Sequence, residues 1–149
     1  TAFLSHGGSS ENYKLLGNNE TQGEKVPLLT VDDIARAHGI ESVDIIKMDV
    51  EGHELKALAG AEKIISKGSP IIFYEVKHGN DLHPELIGAF KDLGYDSYFT
   101  LPDAKTLIKF NNDTHLDEYL LNMVAVRPES LSRFNELVNI EQSLEQVRI

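Results

Sequence analysis

The sequence predicts an α/β domain in which helices cover a sheet whose central strands are parallel. Two near-continuous apolar runs, residues 43–50 and 70–76, are typical of strands that are buried on both faces. Between them, residues 53–67 repeat apolar side chains at helical spacing. A strand, a helix and a second strand in this order form the crossover unit that joins two parallel strands.

Length and composition narrow the class of protein. At 149 residues, with 41% hydrophobic and 26% charged residues, the chain fits one ordinary globular domain. The formal net charge of −10 argues against nucleic acid or an anionic membrane as the main partner. The absence of cysteine excludes disulfides and thiolate metal sites and predicts a reducing, cytoplasmic location. No apolar run approaches the ~20 residues of a membrane span, so none is expected.

The N-terminal part predicts little regular structure. Residues 1–5 fit the end of a strand, and residues 6–24 are polar and rich in glycine, which predicts a loop. Residues 25–30 predict a short strand. Pro27 places that strand at the edge of a sheet, because proline has no N–H to donate.

Capping residues mark the ends of the first two helices. Thr30 predicts an N-cap, with Asp33 at the third position of a capping box, and Gly39 predicts the end of that helix. The helix between the two apolar strands is expected to be interrupted at Gly60 and closed by Gly68.

The remaining elements follow from apolar spacing and turn residues. After residue 76 we expect a helix opening at His83-Pro84 and ending at Gly94, three short strands over residues 95–101, 106–110 and 120–127, and an amphipathic helix at the C-terminus. The chain is therefore predicted to form one domain, with a strand tail and loop (1–24), an α/β core (25–127) and a C-terminal helix (128–149).

The exit of the first apolar strand concentrates polar side chains. Residues 43–54 read VDIIKMDVEGHE, so Asp49, Glu51 and His53 follow the strand within five positions. In open α/β sheets, ligands bind at the carboxyl ends of the strands, which makes this exit the predicted site. Asp49 and Glu51 share one face of an extended chain, where they can supply a general base or accept hydrogen bonds from a substrate. Backbone donors in the turn could equally satisfy Asp49.

Further polar residues surround this exit. His53 is a second candidate base, and Glu54 is predicted to stabilise the N-terminus of the following helix. Glu75 ends the second apolar strand and faces the same crevice, where we expect it to contact substrate or to support the residues that do. Lys47 within the first strand requires a partner, either Glu75 or Asp49, and is predicted to orient these carboxylates.

The same residues could also form a metal site. His78, in the loop after the second strand, is a further candidate, and with Asp49, Glu51 and Glu75 it offers oxygen and nitrogen ligands. The spacing matches no dedicated metal motif, so no metal is predicted.

Ordered landmarks make the chain similar to the FkbM family of S-adenosylmethionine-dependent methyltransferases. Residues 30–34 (TVDDI) resemble the T-L-D-D-L that precedes the family's signature strand, and residues 43–54 resemble the signature D-L/I-I-K-x-D-x-E-G-x-E. The pair Gly60-Ala61 and the proline-led strand that ends in Glu75 complete the match.

The resemblance implies a Rossmann-like class I methyltransferase fold, with a mixed sheet, helices on both faces and S-adenosylmethionine as cofactor. It places Asp49 beside the cofactor's methionine moiety and the acceptor substrate. The candidate catalytic residues are therefore Asp49, Glu51, Glu75 and His53, and the candidate cofactor-binding residue is Asp49.

The glycine-rich turn that holds the cofactor in such folds has no counterpart in this sequence. Gly7-Gly8 lacks both the preceding apolar strand and the following helix. We therefore expect the C-terminal half of the catalytic domain, without the N-terminal cofactor half. Residues 43–50 would then form an open sheet edge that recruits the missing half or a second copy of the chain, unless residues 1–5 or 25–30 close it.

These observations favour O-methylation of a sugar or natural-product hydroxyl, so the expected partner is a small-molecule or glycan acceptor. Two alternatives stay open. One is a non-catalytic half-domain that acts as an interaction module. The other is a sugar-nucleotide enzyme that uses the same carboxylates, although the Lys-x-Asp-x-Glu-Gly signature argues against it.

Overall fold

The structure is a computed structural model that describes residues 2–6, 13–15, 24–50, 52–78, 81–101, 106–111, 122–133 and 139–141. Its α-helices are α1 (Val31–His38), α2 (Glu54–Ala59), α3 (Glu62–Gly68) and α4 (Glu85–Asp92). Its strands are β1 (Ala2–His6), β2 (Tyr13–Leu15), β3 (Glu24–Val26), β4 (Ile45–Met48), β5 (Ile71–Glu75), β6 (Lys77–His78), β7 (Asp81–Leu82), β8 (Asp96–Thr100), β9 (Thr106–Lys109), β10 (Asn122–Val126) and β11 (Asn139–Glu141). None of the described helices has the length and apolar character needed to cross a bilayer.

A six-stranded mixed sheet in the order β11-β9-β8-β10-β5-β4 is the centre of the fold. β4 and β5 are parallel, with α2 and α3 between them in the chain. β10 is antiparallel to both of its neighbours, β5 and β8, so β4, β5 and β8 all run in the same direction. The predicted α/β class, the mixed sheet and the strand–helix–strand unit are confirmed.

The first three strands form a separate antiparallel sheet in the order β2-β1-β3. The loop predicted over residues 6–24 is therefore wrong at β2, because β2 pairs with β1, and such pairing is not visible in local composition. β3 ends at Val26, one residue before Pro27, which has no N–H to extend the ladder. Among the described residues neither β1 nor β3 pairs with β4, so these segments do not close its edge.

The predicted ends of α1 are confirmed. The Thr30 hydroxyl oxygen accepts a hydrogen bond from the Asp33 N–H at 3.0 Å, which satisfies one of the free donors of the first helical turn. Gly39 ends the helix in the left-handed region, with φ of 66°, where glycine avoids the steric cost of a side chain.

Asp32 joins α1 to α3. Its two carboxylate oxygens accept hydrogen bonds from the backbone N–H groups of Lys63 and Ile64, both at 3.0 Å. Its own N–H donates to the Gly60 carbonyl at 2.9 Å. The side chain therefore caps α3 from another helix, and the predicted interruption of the helical segment at Gly60 provides the place where the two helices meet.

One face of the large sheet carries the main core. Residues of all four α-helices pack in one cluster with alternate residues of β4, β5, β8, β9 and β10. Its fully buried large side chains include Ile65, Ile72, Tyr74, Phe90, Phe99 and Met123. The Tyr74 hydroxyl donates to the Ser97 hydroxyl oxygen at 2.7 Å, which satisfies a buried polar group inside this core.

The opposite face is covered at one end and open at the other. A 3₁₀-helix (Pro128–Arg133) contributes Leu131, which packs with Ile140 against Tyr98 and Leu107. At the β4 end, Ile45 is 62% exposed and Phe73 is 37% exposed. The prediction that both apolar strands are buried on two faces is therefore wrong for the described residues. The four described α-helices pack on one face, so the prediction of helices on both faces is not confirmed.

The predicted C-terminal helix over residues 128–149 is also wrong where the structure describes it. The segment begins as the 3₁₀-helix, and β11 is an extended strand parallel to β9. Apolar spacing alone did not distinguish the two states, because Ile140 gains both burial against the sheet and backbone pairing as a strand. The rest of the predicted helix lies outside the described residues. The three strands predicted between residues 95 and 127 are confirmed as β8, β9 and β10.

We expect Asp32→Ala to lower the free energy of unfolding by about 1–2 kcal/mol, because the N-terminus of α3 loses its cap. Urea unfolding of the purified chain measures this. Asp44→Ala is a matched control, since the Asp44 side chain is exposed and makes no hydrogen bond to another described residue. Equal losses for the two variants would show that Asp32 does not hold α3.

Candidate functional site

The carboxyl ends of the three co-directional strands meet at one edge of the sheet, which we call the carboxyl edge. Residues that follow β4, β5 and β8 lie there, and so does the start of β10, because β10 runs the other way. This is the edge at which open α/β sheets bind their ligands.

Lys47 and Asp49 form an ion pair at this edge. The Lys47 Nζ lies 3.0 Å from the Asp49 Oδ2, and the side chains are 56% and 54% exposed. Asp49 was one of the two predicted partners of Lys47. The expectation that Lys47 is buried is wrong, because its face of β4 is the open one. An exposed pair of this kind contributes little stability, so its effect is mainly to orient the Asp49 carboxylate.

Glu54 shapes the turn after β4. Its Oε1 atom accepts hydrogen bonds from the N–H groups of Val50 and Gly52, at 3.2 and 3.3 Å. Gly52 has φ of +88°, a conformation that disfavours any side chain. Glu54 stands in the first turn of α2, as predicted, and its carboxylate also fixes the backbone immediately after Asp49.

His53 closes the same turn and precedes α2. Its N–H donates to the Val50 carbonyl at 3.2 Å, and its carbonyl accepts from Ala57 at 2.9 Å. The side chain is half-buried and makes no capping hydrogen bond. Its role as a base stays a prediction. Glu51 and the side chain of His78 lie outside the described part of the chain, so their roles also stay predictions.

Asp49 and Glu75 lie side by side. Met48 pairs with Tyr74 in the parallel ladder, so the next residue of each segment extends the same row. Because strand residues alternate between faces, both carboxylates lie on the open face together with Lys47 and Phe73. The structure thus brings together two of the predicted site residues.

Two polar residues of this edge were missed by the sequence reasoning. Asn122 begins β10 and pairs with Glu75, and Thr100 ends β8 and donates its hydroxyl to the Asn122 carbonyl at 3.1 Å. In the sequence, the only indication of these residues is that Asn122 begins one apolar run and Thr100 ends another. The antiparallel register that brings them to Glu75 is a tertiary property.

Metal binding finds no support in the described residues. No three histidine, aspartate or glutamate side chains there come together as a metal-binding group.

The site is thus a row of polar side chains at the carboxyl edge of an α/β sheet, directly after a strand with an acidic exit. Residues 1–97 match the methyltransferase FkbM domain. The chain belongs to this methyltransferase family. The match includes the signature strand and the strand that ends in Glu75. No curated protein and no solved structure matches the chain significantly.

We expect Lys47→Met to lower the free energy of unfolding by less than about 1 kcal/mol, because the ion pair is exposed. Ile72→Ala, which removes a fully buried side chain from the helix side of the sheet, should cost about 2–5 kcal/mol in the same urea titration. A loss for Lys47→Met as large as that of the core variant would mean that the Lys47 face is covered in solution.

Proposed function

We propose that this protein uses S-adenosylmethionine to methylate a hydroxyl oxygen of a small-molecule or glycan acceptor. One observation carries the proposal. In a chain of the FkbM family, the signature strand delivers Asp49 beside Glu75, on the open face and at the carboxyl edge. Carboxylates in that position can orient a hydroxyl group and accept its proton.

In this mechanism, residues of the chain position the acceptor hydroxyl and remove its proton. Bound S-adenosylmethionine would supply a methyl group on positively charged sulfur, which an oxygen nucleophile displaces. The chain's carboxylates hold the acceptor hydroxyl in line with that methyl group, which removes much of the entropic barrier. Asp49 or Glu51 takes the hydroxyl proton as the new bond forms, a contribution of typically about 10²–10⁴ in rate. Lys47 orients the Asp49 carboxylate through their 3.0 Å ion pair.

Asp49 is the described residue that we assign to the cofactor. Its Oδ2 faces Lys47, and its Oδ1 has no hydrogen-bond partner among the described residues. A free carboxylate oxygen suits the ammonium group of the methionine moiety. The sequence offers no glycine-rich turn for the remainder of the cofactor.

We infer that a further strand pairs with β4 and supplies that turn. β4 is the last strand of the sheet, and within the described residues it pairs with β5 alone. Ile45 and Phe73 leave an apolar surface on the face beside this edge. In a class I methyltransferase sheet the fourth strand lies beside the first, whose end carries the glycine turn. The chain would then contribute the acceptor side of the active site.

The interaction-module alternative uses the same open edge but requires no chemistry at Asp49. Substitution of the carboxylates separates the two hypotheses.

We expect Asp49→Asn and Glu51→Gln to lower turnover at least about a hundredfold, because each removes a group that aligns or deprotonates the acceptor. Methyl transfer is measured with radiolabelled S-adenosylmethionine. The assay uses the protein together with the further strand that completes the cofactor site. Asp44→Asn, an exposed aspartate at the other end of β4, is the matched control and should keep wild-type turnover. Turnover within about threefold of wild type for both carboxylate variants would remove them from the mechanism.

We also expect the 149-residue chain alone to bind S-adenosylhomocysteine negligibly in calorimetry and to self-associate in light scattering, because the outer edge of β4 pairs with no other strand among the described residues. Ile45→Lys places a charge on the exposed face beside that edge and should reduce the association. A monomer that binds the compound with micromolar affinity would contradict the proposal of a missing strand.

A further inference from the structure

Two lysines and one aspartate form a charged cluster at the end of the sheet opposite the carboxyl edge. Asp96 begins β8, which runs in the same direction as β4 and β5. Its Oδ1 accepts a hydrogen bond from the Nζ of Lys91 in α4 at 2.7 Å, and its Oδ2 accepts one from the Nζ of Lys109 at the end of β9 at 2.8 Å. We call these three residues the basic triad.

The basic triad carries a net positive charge. Burial raises the pKa of Asp96, whose side chain is 10% exposed, but the hydrogen bonds from Lys109 and Lys91 outweigh this effect and hold the pKa below its ordinary value. The carboxylate is therefore ionised at neutral pH and offsets one of the two ammonium charges. One positive charge remains, in a chain whose formal net charge is −10.

The basic triad lines a cavity of about 510 Å³ between α4 and the strands β8 and β9. Ile87 and Phe110 supply apolar wall, and Asp96 is the one acidic residue among the described residues that line the cavity.

A larger cavity of about 720 Å³ between α1 and α3 has balanced charge. Its described lining includes three acidic and three basic residues, namely Asp32, Glu41, Glu62, Arg36, Lys63 and Lys67. Of these two cavities, the one beside β8 therefore has the surplus of positive charge.

The lysines of the triad have donors left for a ligand. Each ammonium group has three N–H donors and gives one to Asp96, whose two oxygens are both occupied. Lys91 is 72% exposed and Lys109 is 38% exposed, so their remaining donors are accessible. Because both nitrogens bond to the same carboxylate, a single anion can contact both. An ion pair as exposed as that of Lys91 contributes little stability, so stabilisation of the fold is a weak explanation for it.

We propose that the basic triad binds the phosphate group of a small organic phosphate, whose apolar part lies against Ile87 and Phe110. A phosphate monoester carries about 1.5 to 2 negative charges at neutral pH and three acceptor oxygens, which suit two ammonium groups. β8 has five residues, so this site lies roughly 13 Å from Thr100 at the carboxyl edge. It is separate from the methyl-transfer site and does not depend on the proposed function.

Phenyl phosphate is the probe, titrated into the 149-residue chain in a calorimeter at low ionic strength, where charges are screened least. We expect binding at one site per chain. Lys91→Gln and Lys109→Gln should each weaken it about tenfold, because each removes a charge-assisted hydrogen bond. Lys109→Arg keeps the charge and should stay within about threefold of wild type. Lys67→Gln, an exposed lysine of the other cavity, removes the same charge and should bind as wild type does.

Asp96→Asn distinguishes a ligand site from an ion cluster that only stabilises the fold. Loss of the carboxylate charge leaves two ammonium groups without a counter-charge, so phenyl phosphate should bind at least about threefold more tightly. Weaker binding by a variant with a native circular dichroism spectrum would overturn the inference. If this variant does not fold, the comparison of Lys109→Gln with Lys109→Arg decides.

Three further results would overturn the inference. The first is the absence of phenyl phosphate binding at millimolar concentration, checked by saturation-transfer NMR. The second is equal weakening by Lys67→Gln and Lys109→Gln, which would show general attraction to lysines. The third is phenol binding as tight as that of phenyl phosphate, since the phosphate would then contribute nothing. None of these measurements involves methyl transfer, so each result leaves the proposed function to its own test.

Discussion

The carboxylate of Asp32 holds together the part of the fold on which the site depends. It caps α3 from α1, across 31 and 32 residues of chain, while Thr30 lies so close to Gly60 that a side chain there would meet it at 3.2 Å. At the other end of α3, a side chain at Gly68 would lie 2.8 Å from the Val43 carbonyl. The helical segment is therefore fixed against the residues that enter β4. Several family landmarks, residues 30–34 and Gly60 among them, are explained by packing and not by catalysis.

The two faces of the sheet differ in how far they are buried. The four helices fill one face with large apolar side chains, and the other face at β4 and β5 keeps Ile45, Phe73 and the Lys47–Asp49 pair exposed. The same asymmetry leaves the Asp49 and Glu75 carboxylates on the open part of the face, beside a β4 edge that pairs with no other described strand. An apolar surface and a free edge beside an acidic strand exit are the features expected where a further segment completes the active site.

Local signals were read correctly because their physical basis lies within a few residues. The Thr30 cap, the left-handed Gly39 and the interruption at Gly60 each depend on neighbouring backbone groups. Burial was misread where it depends on distant segments. Lys47 was expected to be buried because its strand is apolar, yet exposure is decided by what covers the face. Likewise residues 139–141 became a strand through pairing with β9.

The sequence by itself determined the α/β class, the order of the core elements and the acidic exit of the signature strand, since periodicity, caps and motif spacing are local properties. It also determined the family, through landmarks that lie within residues 1–97. Only the tertiary structure decided that Asn122 and Thr100 join Glu75 at the carboxyl edge, and that one face of β4 stays open. Strand order and register arise from contacts between segments far apart in the chain, and no single segment contains that information.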